Sequence, residues 1–188
     1  IVVSNDEGAW IVNHQTKKRI IIPNSKSFCI INDSLIMFSI GSQVFLYNTH
    51  LQKTTHRTSI NRIFSQTLHE DSLLWLGGLE GLRSYNLKSH QINSKSTSPS
   101  IDCRINSILS YHGMLLIGTN TQGIIRVQDH KIIDTITPDN SLLPSYNILK
   151  LKSDQHKFYA ATNKGYVKFW TDKQHHILRS KSFSMSDG

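Results

Sequence analysis

A phrase that recurs five times, a step of roughly forty residues between copies, and strand-sized apolar runs flanking each copy predict an all-β chain. The architecture they imply is a β-propeller of about five four-stranded antiparallel blades. The clearest copy runs from Leu73 to Asn86 (LLWLGGLEGLRSYN), and the others span Ile1 to Asn13, Ile36 to Asn48, Leu115 to Val127 and Phe158 to Trp170. Each has three apolar residues, a small or polar turn and a second short apolar strand. The turn position of Gly81 falls at Gly8, Gln43, Gly123 and Gly165, giving steps of 35, 38, 42 and 42 residues.

One copy is too small to bury its own apolar surface, so it needs neighbours. A further strand precedes the phrase (Phe28 to Ile31, Ile63 to Leu68, Ile105 to Leu109, Ile148 to Lys152). Another follows it (Arg19 to Ile22, Ile132 to Ile136, His176 to Ser180). Four short strands joined by Asn, Asp, Gly, Ser and His turns make one antiparallel blade, and blades set around an axis protect their edges. A parallel solenoid repeats faster, about 20 to 30 residues, and a sandwich has no reason to repeat its turns. One propeller domain is expected over 1–188, with units near 1–26, 27–59, 60–101, 102–143 and 144–181. Residues 182–188 would supply the first strand of the first unit and so close the ring; the alternative is a fragment of a larger propeller with both ends open.

Within the phrase, Trp75 and its counterparts Val2, Met37, Leu116 and Tyr159 sit mid-strand, where alternation sends them between blades. Gly81, Gly123 and Gly165 suit a tight turn that a Cβ resists. Repetition of these types marks scaffold, so function must lie in what differs between copies.

The 188 residues suffice for a single core. With 21 Lys and Arg against 13 Asp and Glu, the net charge is +8, which favours anionic partners. The basic residues are scattered through turns and form no arm of the kind nucleic acid requires, so no nucleic-acid partner is expected. No stretch approaches the roughly 18 apolar residues of a membrane helix, so this segment is not expected to insert in a membrane. Cys29 and Cys103 fall in the second and fourth units, too far apart for a disulfide, and are expected as free thiols.

In a four-stranded blade, the turn between the second and third strands shares one face with the loop entering the first. The turn set holds Asn5 to Glu7, Ser42-Gln43, Leu79-Glu80, Asn120 to Gln122 and Asn163-Lys164. The entry set holds Asn24 to Lys26, Asn61-Arg62, Asp102 to Asn106 and Pro138 to Asn147. From these come the candidate ligand-binding residues: Lys26, Asn61, Arg62, Glu80, Arg104, Asn106, Asn120, Gln122, Tyr146, Asn147, Asn163 and Lys164. Amides and guanidinium groups bond hydroxyls and anions, and Tyr offers a flat face, a mixture suited to a sugar or another polar, anionic ligand. Asn, Asp and Ser are also good turn formers, and each residue taken singly reads more readily that way.

No phosphate-cradling Gly-Lys-Ser loop, Gly-x-Ser-x-Gly elbow, paired Cys motif or His-Glu-x-x-His is present. Most of the ten His, among them His50, His69, His90, His112, His130, His156 and His175, fall in turns expected opposite the channel mouth. On separate blades they should be too far apart to share an ion. No catalytic residue, metal or cofactor is expected.

The phrase resembles the two-component regulator propeller repeat, found in the sensor propellers of bacterial hybrid two-component histidine kinases. The third unit carries Leu74-Trp75-Leu76-Gly77-Gly78 with Gly81-Leu82 and Tyr85. The fourth carries Asn106-Ser107-Ile108, Leu116 to Thr119 and Gly123-Ile124. The fifth carries Thr137 to Leu142, Asn147-Ile148 and Ala161 to Gly165. Only the third unit keeps the Trp, and the second has Gln43 where Gly is usual. The resemblance implies a non-catalytic, ligand-sensing propeller in a periplasmic or extracellular location, paired as a homodimer and linked to kinase domains elsewhere in the parent protein. Two alternatives remain: a lyase-type propeller enzyme, for which His14 or His56 is the available base, and a protein-interaction scaffold.

Overall fold

The structure, a computed structural model, describes residues 2–5, 8–12, 19–70, 72–93, 99–154, 156–172, 174 and 176–184. These residues contain nineteen strands and no helix. The first sheet comprises β1 (Val2–Asn5), β2 (Gly8–Val12) and β3 (Arg19–Pro23). The second has β4 (Ser25–Ile30), β5 (Leu35–Ile40), β6 (Gln43–Asn48) and β7 (Lys53–Ser59). The third has β8 (Ile63–His69), β9 (Leu73–Gly78), β10 (Gly81–Asn86) and β11 (Gln91–Asn93). The fourth has β12 (Ile105–Tyr111), β13 (Met114–Thr119), β14 (Ile124–Gln128) and β15 (Lys131–Ile136). The fifth has β16 (Ile148–Asp154), β17 (Lys157–Thr162), β18 (Gly165–Thr171) and β19 (Ile177–Phe183). Every sheet is an antiparallel meander in chain order, three-stranded in the first and four-stranded in the rest.

Strand alternation turns each sheet into a two-sided slab, and apolar side chains on both sides build four layers between neighbours. Ala9, Ile11 and Ile22 meet Ile36, Phe38 and Phe45. Met37, Val44 and Leu46 meet Leu74, Leu76 and Tyr85. Trp75 and Leu82 meet Ile105, Leu115, Ile117 and Ile125. Leu116 and Ile124 meet Leu151, Phe158, Ala160 and Phe169. The first strands β4, β8, β12 and β16 pack side by side along the inner edge of this arc.

Two small-residue positions make the close packing possible. A Cβ on Gly77 would lie 2.4 Å from Ile105 Cγ2, and one on Gly118 would lie 2.6 Å from Ile148 Cγ2, so the second strand of one sheet receives the first strand of the next. Gly81 has φ +94°, and a Cβ there would meet Ile101 O at 1.8 Å, with the Leu82 N–H donating to that same carbonyl at 2.9 Å. In the second sheet the positive φ, without the close approach, moves back two residues. Gly41 takes the positive φ of +53°, and Gln43 simply opens β6.

A second repeated device lies in the first strands. Each carries a bulge at the same step: between Ser25 and Ser27, Ile63 and Ser65, Ile105 and Ser107, and Ile148 and Lys150. Lys26, Phe64, Asn106 and Leu149 are thereby left out of the ladder, where a bulge re-aims the side chain. Ser65 and Ser107 accept from the Ile108 and Leu151 backbone N–H groups of the next sheet, at 2.9 and 3.0 Å.

The chain end does not take the place expected of it. Ser182 and Phe183 pair with Val167 and Tyr166 as the outer edge of the fifth sheet, so they do not form a first strand for the first unit; residues 185–188 lie outside the described residues. Among the described residues the extensive contacts run from sheet to sheet along the arc, and none joins the fifth sheet to the first. Tyr159 accordingly departs from its counterparts. Met37, Trp75 and Leu116 are fully buried against a following sheet, whereas Tyr159 is half-exposed on a face that has none. At the Leu82 and Ile124 position, the fifth sheet carries Tyr166, 46% exposed. Cations and ring stacking cover this face instead: Lys168 lies 5.4 Å from the Tyr159 ring centre and 4.8 Å from that of Trp170, Arg179 lies 4.2 Å from Trp170, Tyr166 stacks on Phe183 at 4.5 Å, and Lys181 lies 4.9 Å from Phe183.

Candidate functional site

Because the strands alternate in direction, the connections entering β8, β12 and β16 share one end of the arc with the β9–β10, β13–β14 and β17–β18 turns. Backbone bonds tie the two sets together. Leu79 N–H donates to Arg62 O at 3.0 Å, Asn120 N–H to Arg104 O at 2.9 Å, and Gly123 N–H to Tyr146 O at 3.0 Å. Thr119 staples its own turn, its hydroxyl donating to Gly123 O while accepting from Gln122 N–H, and Thr162 does the same with Gly165 and Lys164.

On this rim the entry loops bring two cations to one ring. The guanidinium carbons of Arg62 and Arg104 lie 5.5 and 4.5 Å from the centre of Phe64, the bulge residue of β8. Arg104 Nε donates to Asn106 Oδ1 at 2.9 Å, and Asn106 Nδ2 donates to Ile148 O at 2.8 Å and Asn147 Oδ1 at 3.4 Å. Arg62, Phe64, Arg104, Asn106 and Asn147 therefore form one connected strip across three sheets.

Other expected residues are placed elsewhere. Asn61 and Glu80 line a separate cleft of about 710 Å³ between the second and third sheets, with Ser42, Arg83 and His90. Gln122 accepts from Cys103 Sγ at 3.5 Å. The exposed Tyr146 donates its hydroxyl to Asp139, and that bond raises its pKa. Asn120 is half-buried beneath its turn, and Asn163 and Lys164 stand exposed at the β17–β18 turn. Lys26 lies at the bulge of β4 and lines the axial cavity between the first strands, about 410 Å³ in volume. Phe64, Gln66, Lys150 and Lys152 line it too and were not singled out from sequence. The signal was present: the bulge position is where the four first strands differ most.

The His residues meet more closely than separate blades suggested. The His56 and His90 rings stack at 3.4 Å between centres, and His130 Nε2 lies 3.6 Å from Glu70 Oε1 of the neighbouring sheet. Adjacent slabs touch at their outer ends too, which the sequence reasoning ignored. His56 thus sits on the outer strand β7 and not at the channel, removing it as a base there; His14 lies outside the described residues. No cluster of three metal-ligating side chains occurs among the described residues. Cys29 and Cys103 are free, half-buried thiols whose pKa values burial pushes up.

No family model matches the chain, and no curated protein matches it in sequence. Solved structures do match. The β-propeller domain of Cps50 (Swd1) from Myceliophteria thermophila superposes with a TM-score of 0.76 at 12% identity, over 98% of this chain and 68% of that one. The fold is a β-propeller. Two further matches come from B. thetaiotaomicron. The extracellular domain of the putative one component system BT4673 aligns with a TM-score of 0.69 at 16% identity, over 97% of this chain and 26% of its own. That of the putative hybrid two component system BT3049 aligns with a TM-score of 0.68 at 15% identity, over 87% of this chain and 23% of its own. The propeller described here spans about a quarter of the length of those two domains. No helix among its described residues is long and apolar enough to cross a membrane.

Proposed function

We propose that residues 1–188 form one non-catalytic propeller domain that senses a polar ligand, or docks a partner, within a bacterial signalling protein. The ligand, an oligosaccharide or another anion-bearing molecule, is received at the rim strip of Arg62, Phe64, Arg104, Asn106 and Asn147. The convergence of two guanidinium groups on the Phe64 ring carries this reading. Like charges repel and are held together here by loop geometry, leaving N–H donors available to hydroxyls and anions beside a flat apolar face. The likeness in fold to sensor ectodomains of one- and two-component systems supports the signalling context. A periplasmic or extracellular setting, linked kinase domains and pairing as a homodimer follow from the same resemblance and belong to the proposal.

Thermal-shift screening and calorimetry against neutral and sulfated oligosaccharides test it. A binder should lose at least tenfold in affinity on Arg62→Ala with Arg104→Ala, given roughly 1.5–3 kcal/mol for each charge-assisted hydrogen bond removed. Both residues are exposed, so melting should stay within a few degrees. Unchanged affinity in the double variant, or no response to any saccharide, would overturn the assignment of this rim.

A further inference from the structure

Below the rim, the axial cavity gathers the departures from the repeat. Aligning the first strands on their bulges pairs Lys26 with Phe64, Asn106 and Leu149 at the bulge itself. At the next step Lys150 stands where the other sheets have Ser27, Ser65 and Ser107. One step further, Gln66 stands where they have Phe28, Ile108 and Leu151, and Lys152 follows opposite Cys29, Thr67 and Leu109. Gln66 and Lys150 thus break a shared pattern in two different sheets, and they line one cavity of about 410 Å³ together with Lys26 and Lys152, which stand at steps that vary in every sheet, and with Phe28 and Phe64. Scaffold constraints act alike on every repeat, so convergence of the exceptions points to a shared contact.

The chemistry of the lining is lopsided. Three lysines line it, each of them partly open to solvent, and no carboxylate belongs to its described lining. Burial and then the charge of Lys152 lower the Lys150 pKa. Gln66 is only 8% exposed, and its Nε2 donates to Met37 O at 3.1 Å, which fixes the amide's orientation. Its Oε1 is left with no protein partner among the described residues. A buried amide oxygen calls for a hydrogen-bond donor, which a fully deprotonated oxyanion such as sulfate lacks and a hydroxyl supplies.

We infer that this cavity is a binding site for a hydroxylated oxyanion, a sugar or polyol bearing a phosphate, sulfate or carboxylate. The ammonium groups of Lys26, Lys150 and Lys152 neutralise the anion, Gln66 Oε1 accepts from a hydroxyl, and Phe28 and Phe64 flank the carbon skeleton. The volume falls within the range usual for small-ligand pockets. The claim concerns the channel below the rim and holds even if no oligosaccharide binds at Arg62 and Arg104.

Calorimetry on the 188-residue chain at low salt, with glucose 6-phosphate, glucuronate, inorganic sulfate and glucose as probes, tests it. Saturable one-to-one binding of at least one sugar anion, at least tenfold tighter than sulfate, with glucose undetectable, is the expected result. Lys152→Met alone should weaken the sugar anion at least fivefold, and Lys150→Met with Lys152→Met should abolish it. Gln66→Leu, the residue type found at the equivalent position of the fifth sheet, should reduce sugar-anion affinity to that of sulfate while leaving sulfate unchanged. Lys53→Met with Lys88→Met removes equal charge from exposed sites outside the cavity and should change nothing. The inference is overturned if neither sugar anion saturates, if sulfate binds as tightly as the sugar anions, or if the two lysine pairs have equal effect.

Discussion

Gly81→Ala probes the feature on which the repeat depends, and its cost can be worked from the geometry. The backbone at φ +94° is one that a residue with a Cβ adopts at about 1–2 kcal/mol. The added methyl would lie 1.8 Å from Ile101 O, a backbone atom that cannot rotate aside. Relieving the overlap breaks the Leu82 N–H bond to that carbonyl, about 0.5–1.5 kcal/mol net, and strains the third-to-fourth sheet layer by roughly 1–3 kcal/mol. Allowing for partial overlap of these effects, a loss of about 3–5 kcal/mol is expected. For a chain of this length that lowers the melting temperature by about 6–20 °C. Gly113 supplies the control: its φ is +78° but nothing lies within 4 Å of its would-be Cβ. Gly113→Ala should therefore cost only the backbone term, about 1–2 kcal/mol. Urea unfolding of the two variants beside the parent measures the difference directly. Equal losses would refute the idea that close approach, and not turn conformation alone, selects glycine in this phrase.

Three further outcomes are expected. Ser107→Ala leaves the buried Leu151 N–H without its acceptor and should destabilise by about 1–3 kcal/mol in denaturant titration, with the effect absent at an exposed serine such as Ser89. Gly77→Ala should cost about 1–3 kcal/mol because Ile105 must move, partly offset by the lower backbone entropy of Ala, and a paired Ile105→Val should recover some of it. Partial burial lowers the His69 pKa, with His130 also lowering it and Glu70 opposing both. The unfolded chain therefore takes up this proton before the folded one. Stability is full above the ordinary His value of about 6.5 and declines as the pH falls through it toward the lower folded value. His69→Gln should flatten that part of the stability profile; an unchanged slope between about pH 7 and 5 would contradict the assignment.

The scaffold was legible because its causes repeat. Leu74, Trp75 and Leu76 alternate between two apolar layers, and any chain with that pattern must cover both sides of its strand. What the sequence hid were features set by neighbouring sheets. Phe64 reads as one more apolar strand residue, and only the bulge beside Ser65 turns it toward the rim arginines. Gln66 reads as a polar residue in a short strand, and its burial depends on Met37 of the preceding sheet. Ser182 and Phe183 misled because a β19 of seven residues outran the length expected of an outer strand. The turn chemistry that competes with a binding role is seen at Asn32, Asn48 and Asn86, whose side-chain oxygens accept from backbone N–H groups two and three residues on.

Since, among the described residues, each sheet makes its extensive contacts with those beside it, cohesion accumulates joint by joint, as in a stack of tiles. The second, third and fourth sheets are clamped from two sides by described residues and the first and fifth from one. Amide exchange should therefore be slowest near Trp75 and Leu116 and quicken toward either end of the arc, so that breathing starts at the edges while the amides around Phe64 and Gln66 stay shielded.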